Sequence, residues 1–325
     1  MAFRLQKKAR LMAVLGLTLM LSGCGAQLLS QREIVRAVFF DRSPEGYTAV
    51  LLLNDQQGEQ DGDYKTASAS GNTPALAWDS AANSLPGKAF YGLMDLAVLP
   101  PDCSWQEAQE IGALVEQTAQ PAPEIAVYLL GTSEQTSTRD RAGDLYDTLH
   151  LQQKNLGLHC GLQTLFASDA ACAVPVCAEE GYAFSFLSKD GRNVFCHEAL
   201  SAQLAAVLTG EADRMECVLE SEEIRFRAGT NLAVQPDSAD HAQVLLTLRE
   251  CRLTDLKGQN RGEEEMGAQL EQALQNAFVR IENQLFDWQG DPLNLRFWAA
   301  NRYGASNVPV RATLTVLREN APEHS

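Results

Sequence analysis

Cys24 carries the most sharply defined chemistry in this sequence. It closes the run Leu21, Ser22, Gly23, Cys24, behind an apolar stretch from Leu11 to Met20 that follows Arg4, Lys7, Lys8 and Arg10 with no acid among them. That is the charge-then-apolar order of a secretory leader. Small residues ahead of a cysteine admit the chain to a signal protease, and the thiol is the nucleophile that accepts diacylglycerol. The apolar stretch is shorter than the roughly 20 residues needed to cross a bilayer. Residues 1–23 are therefore expected to be cleaved, leaving Cys24 as a lipid anchor. Two acyl chains, at about 0.8 kcal/mol per buried methylene, suffice for stable attachment where one is marginal.

Other reactive side chains give weaker signals. Cys196, His197 and Glu198 stand in a row and suggest a nucleophile with its base, but neighbours on an extended strand point to opposite faces and cannot cooperate simply. His159 beside Cys160 and His197 beside Cys196 invite a zinc reading, yet no paired C-x-x-C or H-x-x-H knuckle accompanies them. Glu263, Glu264 and Glu265 lie just ahead of a long helix, where acids complement the helix dipole. Nucleophile elbows, S-x-x-K with K-T-G, H-E-x-x-H and Gly-rich phosphate loops are absent from the sequence. No catalytic residue, metal ligand or cofactor is assigned. An aromatic group, Phe286, Trp288, Phe297, Trp298 and Tyr303, is expected to fill space over a sheet, and exposure would make it an interface.

Charge narrows the partners. The chain carries a formal −16, and loss of the four positive charges in the leader takes it to −20. Nucleic acid demands the opposite sign, and anionic headgroups would repel this body, so attachment must rest on the lipid. Beyond Cys24 seven cysteines remain, Cys103, Cys160, Cys172, Cys177, Cys196, Cys217 and Cys251, so at least one stays unpaired within the chain. An oxidising exterior permits disulfides, but the sequence does not assign them.

The elements that must position these groups are read from pattern. Ile34 to Phe40 and Tyr47 to Leu53 form a hairpin about a Pro-Gly turn. Thr73 and Pro74 open a short helix through Trp78. A strand over Ala89 to Leu99 ends at Pro100 and Pro101, and Ser104 with Glu107 makes a capping box for a helix through Val115. A strand follows at Ile125 to Leu130. Residues 132–143 read as a linker or helix entry. Beyond it come a helix around Leu145 to Leu149, a strand pair at Tyr182 to Leu187 and Arg192 to Phe195, a helix near Leu200 to Leu208, and β-like segments at Cys217 to Leu219 and Ile224 to Arg227. Val244 to Leu253 is a strand, and Leu270, Leu274, Phe278, Ile281 and Leu285 form one stripe of a long helix. The alternation through Val308 to Val316 is a half-buried strand. The fold class expected is α+β, as three mixed α/β domains, each a small sheet packed by helices: 24–135, a cysteine-rich middle 136–235, and 236–325 with its long helix.

This arrangement resembles the Ger(x)C family, the lipoprotein C subunits of spore germinant receptors. The resemblance is carried by Arg32, Glu33 and Ile34 leading a strand that ends at Asp41, by Ala89 to Leu99 (AFYGLMDLAVL), by Ile125 to Gly131, and by the hairpin Ala183 to Leu200. In the last unit the long helix, Asp291 to Leu295 (DPLNL), Trp298, Tyr303 and the closing strand add to it. The sequence departs from the pattern after Cys24, where Gly25 and Ala26 stand in place of Trp-Asp, and at Asn294, where glycine is usual. The resemblance implies three α/β domains, a lipid anchor on the outer face of the inner spore membrane, and a non-catalytic subunit that assembles with the integral-membrane A and B subunits for nutrient-triggered germination. The alternative reading of the residues is a free-standing lipoprotein that binds a solute or cell-wall component.

Overall fold

In a computed structural model the described residues are 32–44, 46–55, 64–120, 125–131, 137–166, 171–177, 182–188, 193–258, 261–286, 291, 293, 295–304 and 310–320. The leader and Cys24 lie outside them, as does Trp288, and the side chains of Cys172, Phe286 and Trp298 are likewise outside the description.

Thirteen strands and seven helices are assigned among these residues. β1 (Arg32–Ser43) and β2 (Gly46–Asn54) form the expected hairpin, and β3 (Tyr64–Gly71), for which the sequence pattern makes no strand, extends it. Next come α1 (Pro74–Asn83), β4 (Lys88–Phe90), β5 (Leu96–Leu99), α2 (Trp105–Ala119), β6 (Ala126–Leu130), α3 (Thr138–Leu156), α4 (Leu162–Phe166), β7 (Ala171–Cys177), β8 (Tyr182–Ser188), β9 (Val194–Cys196) and α5 (Ala199–Leu208). β10 (Arg214–Leu219), β11 (Ile224–Pro236), β12 (His241–Asp255), α6 (Glu263–Phe286), α7 (Leu295–Tyr303) and β13 (Arg311–Asn320) complete the chain. The helix starts obey their caps. Thr73 accepts from the Leu76 amide at 3.2 Å with Pro74 in the first turn, and Ser104 accepts from the Glu107 amide at 3.2 Å.

The strands pair into two sheets, not three. One runs β3-β2-β1-β5-β6-β7-β8-β9, with β4 beside β1, and the other runs β10-β11-β12-β13. The boundary drawn from sequence at 135/136 falls inside the first sheet, because β6 and β7 are parallel neighbours, Leu129 opposite Val176. Parallel strands need a long crossover, here α3 and α4, and the polar stretch at 132–143, open from sequence to a linker or a helix entry, runs into the first turns of α3. The boundary at 235/236 likewise falls inside β11, where Gln235 and Pro236 stand opposite Gln243 and Ala242 of β12. The strand expected over Ala89 to Leu99 is broken in two at Tyr91–Asp95.

Alternation along the first sheet divides two cores. Val38, Phe40, Leu51, Leu99 and Val127 face α1, α2 and α4. Ala37, Phe39, Leu52, Val98 and Tyr128 face the other way, into a core shared with α3, α5, α6 and the second sheet. α5 is the hinge of that packing. Every residue from Leu200 to Leu208 is buried, including the polar Ser201 and Gln203, as expected of a helix enclosed on all sides. The stripe of Leu270, Leu274, Phe278, Ile281 and Leu285 on α6 is buried in the same core.

Candidate functional site

Two places gather polar side chains, and of their polar members the sequence flags only His197 and Glu198, which stand at the second. The first is built on a bulge. The β1–β2 register slips between Val35 and Ala37, which makes Arg36 the extra residue and re-aims its side chain. Its carbonyl accepts from the Asp95 amide, and the Asp95 carbonyl accepts from Ala126, so Asp95 is pinned at the start of β5. Arg36 Nη2 lies 2.6 Å from Asp95 Oδ2 and donates to the Tyr146 hydroxyl at 2.7 Å, while that hydroxyl donates to Asp95 at 3.0 Å. Tyr146 and His150 stand one turn apart on α3 and hence on one face. His150 Nε2 approaches Asp95 Oδ1 to 3.4 Å. Tyr64 donates to Asp147 at 2.8 Å and lays its ring edge-on to Tyr146.

Burial pushes the Asp95 carboxyl up, but the His150 hydrogen bond and the Arg36 charge outweigh it and leave it below its ordinary value. Burial, then the Asp95 charge, raise the Tyr146 phenol. The group is charge-matched and sits at the amino ends of parallel strands β1, β5 and β6. Ligands of open α/β sheets bind at the carboxyl ends, so this constellation is a brace tying α3 to the sheet.

The second place is a groove of about 920 Å³ where the two sheets meet. Tyr182, Glu198, Leu200, Leu219, Asn276 and Arg280 are among its walls. Arg280 Nη2 donates to Glu198 Oε2 at 2.6 Å, joining α6 to the start of α5. Glu198 also accepts from Ser201 Oγ at 3.1 Å. The rim turn between β10 and β11 is held by Arg261, which donates to the Glu222 carbonyl at 2.7 Å and the Glu223 carbonyl at 3.2 Å while pairing with Asp255 at 2.5 Å. Tyr182 is buried, and its hydroxyl has no hydrogen-bond partner among the described residues, an uncommon state for a buried polar group.

The residues flagged from sequence fall as follows. Cys196 points into the core and His197 outward against the Phe195 ring, on opposite faces of the chain. Burial pushes the Cys196 thiol up to about 11, which disfavours the thiolate a nucleophile needs. Cys177, Cys217 and Cys251 are raised alike, burial being the largest cause in each. These four are buried thiols outside any disulfide. Cys103 and Cys160 are also buried and donate weakly to the Ser104 and Ala173 carbonyls. His159 is exposed, and no group of three His, Cys, Asp or Glu suited to a metal occurs among the described residues. Glu263, Glu264 and Glu265 occupy the first turn of α6, where the dipole favours them. Of the aromatic group, Phe297 is 58% exposed and Tyr303 42%, so these two do not fill the space over the sheet as expected. No described helix is long and apolar enough to cross a membrane.

The fold is thus a mixed α+β architecture of two sheets with helices on both faces of the larger one. No family model matches the chain, and no curated protein matches it. Among solved structures, the one titled "Crystal Structure of the GerBC protein" is similar, with 11% identity over 87% of this chain and 97% of that chain at a TM-score of 0.42.

Proposed function

We propose that the protein is a lipid-anchored, non-catalytic subunit of a spore germinant receptor, held to the outer face of the inner spore membrane through Cys24 and assembled with integral-membrane A and B subunits. One observation carries this reading. The separate segments that resemble Ger(x)C proteins, Arg32 to Asp41, the Leu96 to Leu99 end of the second segment, and Ile125 to Gly131, fall on β1, β5 and β6, three adjacent parallel strands at the centre of one sheet. A chance likeness of scattered words has no reason to map onto neighbouring strands. The Leu21, Ser22, Gly23, Cys24 run ahead of β1 would supply the tether that such a subunit needs.

The test joins three measurements. Mass spectrometry of the mature chain is expected to find diacylglycerol on Cys24, affinity purification from spores to recover polytopic subunits, and deletion to abolish a nutrient response with growth intact. An unmodified Cys24, or a chain recovered without membrane partners from spores that germinate normally, refutes the proposal. A second reading, a free-standing solute-binding lipoprotein, is favoured by the 920 Å³ groove and the unpartnered Tyr182 hydroxyl within its walls. It requires saturable binding of a small molecule by the isolated chain.

A further inference from the structure

The outer edge of β10 is closed along its first half and open at the groove. β10 pairs on one side only, with β11, in an unbroken antiparallel register from Arg214↔Gly229 to Leu219↔Ile224. Just ahead of the strand, Ala212 bridges to Leu158. Two residues into it, the buried amide of Gln203 stands in for a neighbouring strand. Its Nε2 donates to the Glu216 carbonyl at 2.7 Å, and its Oε1 accepts the Glu216 N–H at 2.8 Å. Peptide groups alternate sides along an antiparallel strand, so those of Val218 turn outward as those of Glu216 do. The Val218 carbonyl receives a weak bond from the Cys217 thiol at 3.5 Å, and its N–H has no partner among the described residues. Val218 is itself one of the groove's walls.

We infer that this groove receives an extended, basic segment of a partner protein, which adds as a strand to β10 at Val218. Strand addition draws affinity from main-chain hydrogen bonds and specificity from pockets for alternate side chains. Here the main-chain groups are those of Val218, and the space beside them is large enough for several residues. The charge of the occupant follows from the walls. Glu198, Glu220 and Glu222 face one guanidinium, Arg280, which Glu198 already engages, so the surplus is negative in a chain of −16. The rim does not need to form on binding, because Arg261 fixes the β10–β11 turn in place. The inference rests on this edge and its charge, and it does not depend on which membrane complex the protein joins.

The probe is a short capped peptide alternating valine with lysine, titrated into the full chain. Backbone hydrogen exchange of the segment around Val218 is read alongside fluorescence anisotropy. Binding is expected to slow exchange at Val218, to weaken with added salt, and to fall about tenfold or more when alternate peptide amides are N-methylated, one lost main-chain bond to a held partner being worth about that factor. Replacing the peptide's lysines with glutamates is expected to abolish it. Val218→Pro removes the outward N–H without touching the ladder to β11 and is expected to weaken binding as N-methylation does. The methylated peptide leaves the protein untouched, so it decides the matter even if that variant misfolds. No binding by the lysine peptide, binding indifferent to N-methylation, or protection at β13 in place of β10 overturns the inference.

Discussion

Glu211 lies in the turn between α5 and β10, where its amide donates to the Ala206 carbonyl at 2.8 Å and its own carbonyl accepts from His159. Burial pushes its carboxyl up from 4.5 to about 7, and a hydrogen bond from Thr164 at 3.4 Å offsets only part of that. An acid raised on folding holds a proton in the native state that the unfolded chain has already released. Stability is therefore full below the ordinary glutamate range and declines as pH climbs from 4.5 through about 7. Glu211→Gln is expected to flatten that decline and to stabilise the protein at pH 8 by on the order of 2–3 kcal/mol. Urea denaturation of both forms at pH 5 and pH 8 checks it, and equal pH dependence in the two refutes it. None of this could be read from the sequence, where Glu211 is one acid among many. The same holds for the Arg36, Asp95 and Tyr146 brace, whose members are separated by up to 110 positions and carry no local motif. By contrast the Cys196 and His197 pair was resolved from sequence alone, because the two-residue period of an extended chain is a local fact.

At the scale of elements, the sequence announced those with a covalent or capping signature. The β1–β2 hairpin, the Thr73 and Ser104 caps and the α6 stripe are all present. Those missed share a different trait. β3 is built from alanine and serine, since α1 packs so closely on it that a Cβ on Gly71 would come within 2.7 Å of the Ala77 backbone nitrogen. Small residues there answer to tertiary crowding and carry no hydrophobic alternation. β7 holds Pro175, which argues against a central strand, but β7 meets β6 only at Val176 and Cys177, so the missing amide falls beyond that ladder. α3 ends on Gly157, whose φ of 59° suits a left-handed cap, and a Cβ there would collide with the Asp213 carboxylate at 1.9 Å. Gly157→Ala is expected to cost about 1–2 kcal/mol, combining the αL penalty with displacement of Asp213. α2 ends on Gln120 in the same left-handed region, at φ 45°, with no glycine to relax it. Gln120→Gly should gain a few tenths to about 1 kcal/mol. Opposite signs at two left-handed caps, read by thermal denaturation, are the expected outcome, and a shift of the same sign at both would contradict it.

Over the whole molecule, the division into three units gives way to two sheets joined by one core, in which α5 touches both. Leu204 is fully buried at the middle of that helix. Leu204→Ala is expected to cost about 2–5 kcal/mol and to lower the protection of both sheets together in native-state hydrogen exchange. Loss confined to one sheet would show that they unfold as separate bodies. Acidity also acts at this scale. In a chain of −16, the surfaces offered for protein contact include the open edge of β10 and the exposed Phe297 and Tyr303.

The shared core also sets an order on biosynthesis. The core that takes in Ala37, Phe39, Leu52 and Val98 is completed only by β10 to β13 and α6, the last third of the chain. A polypeptide made from its amino end must therefore hold that core unfinished until its synthesis is complete. Nonsense products ending near residue 200 would be expected to clump or be degraded rather than linger as a working fragment.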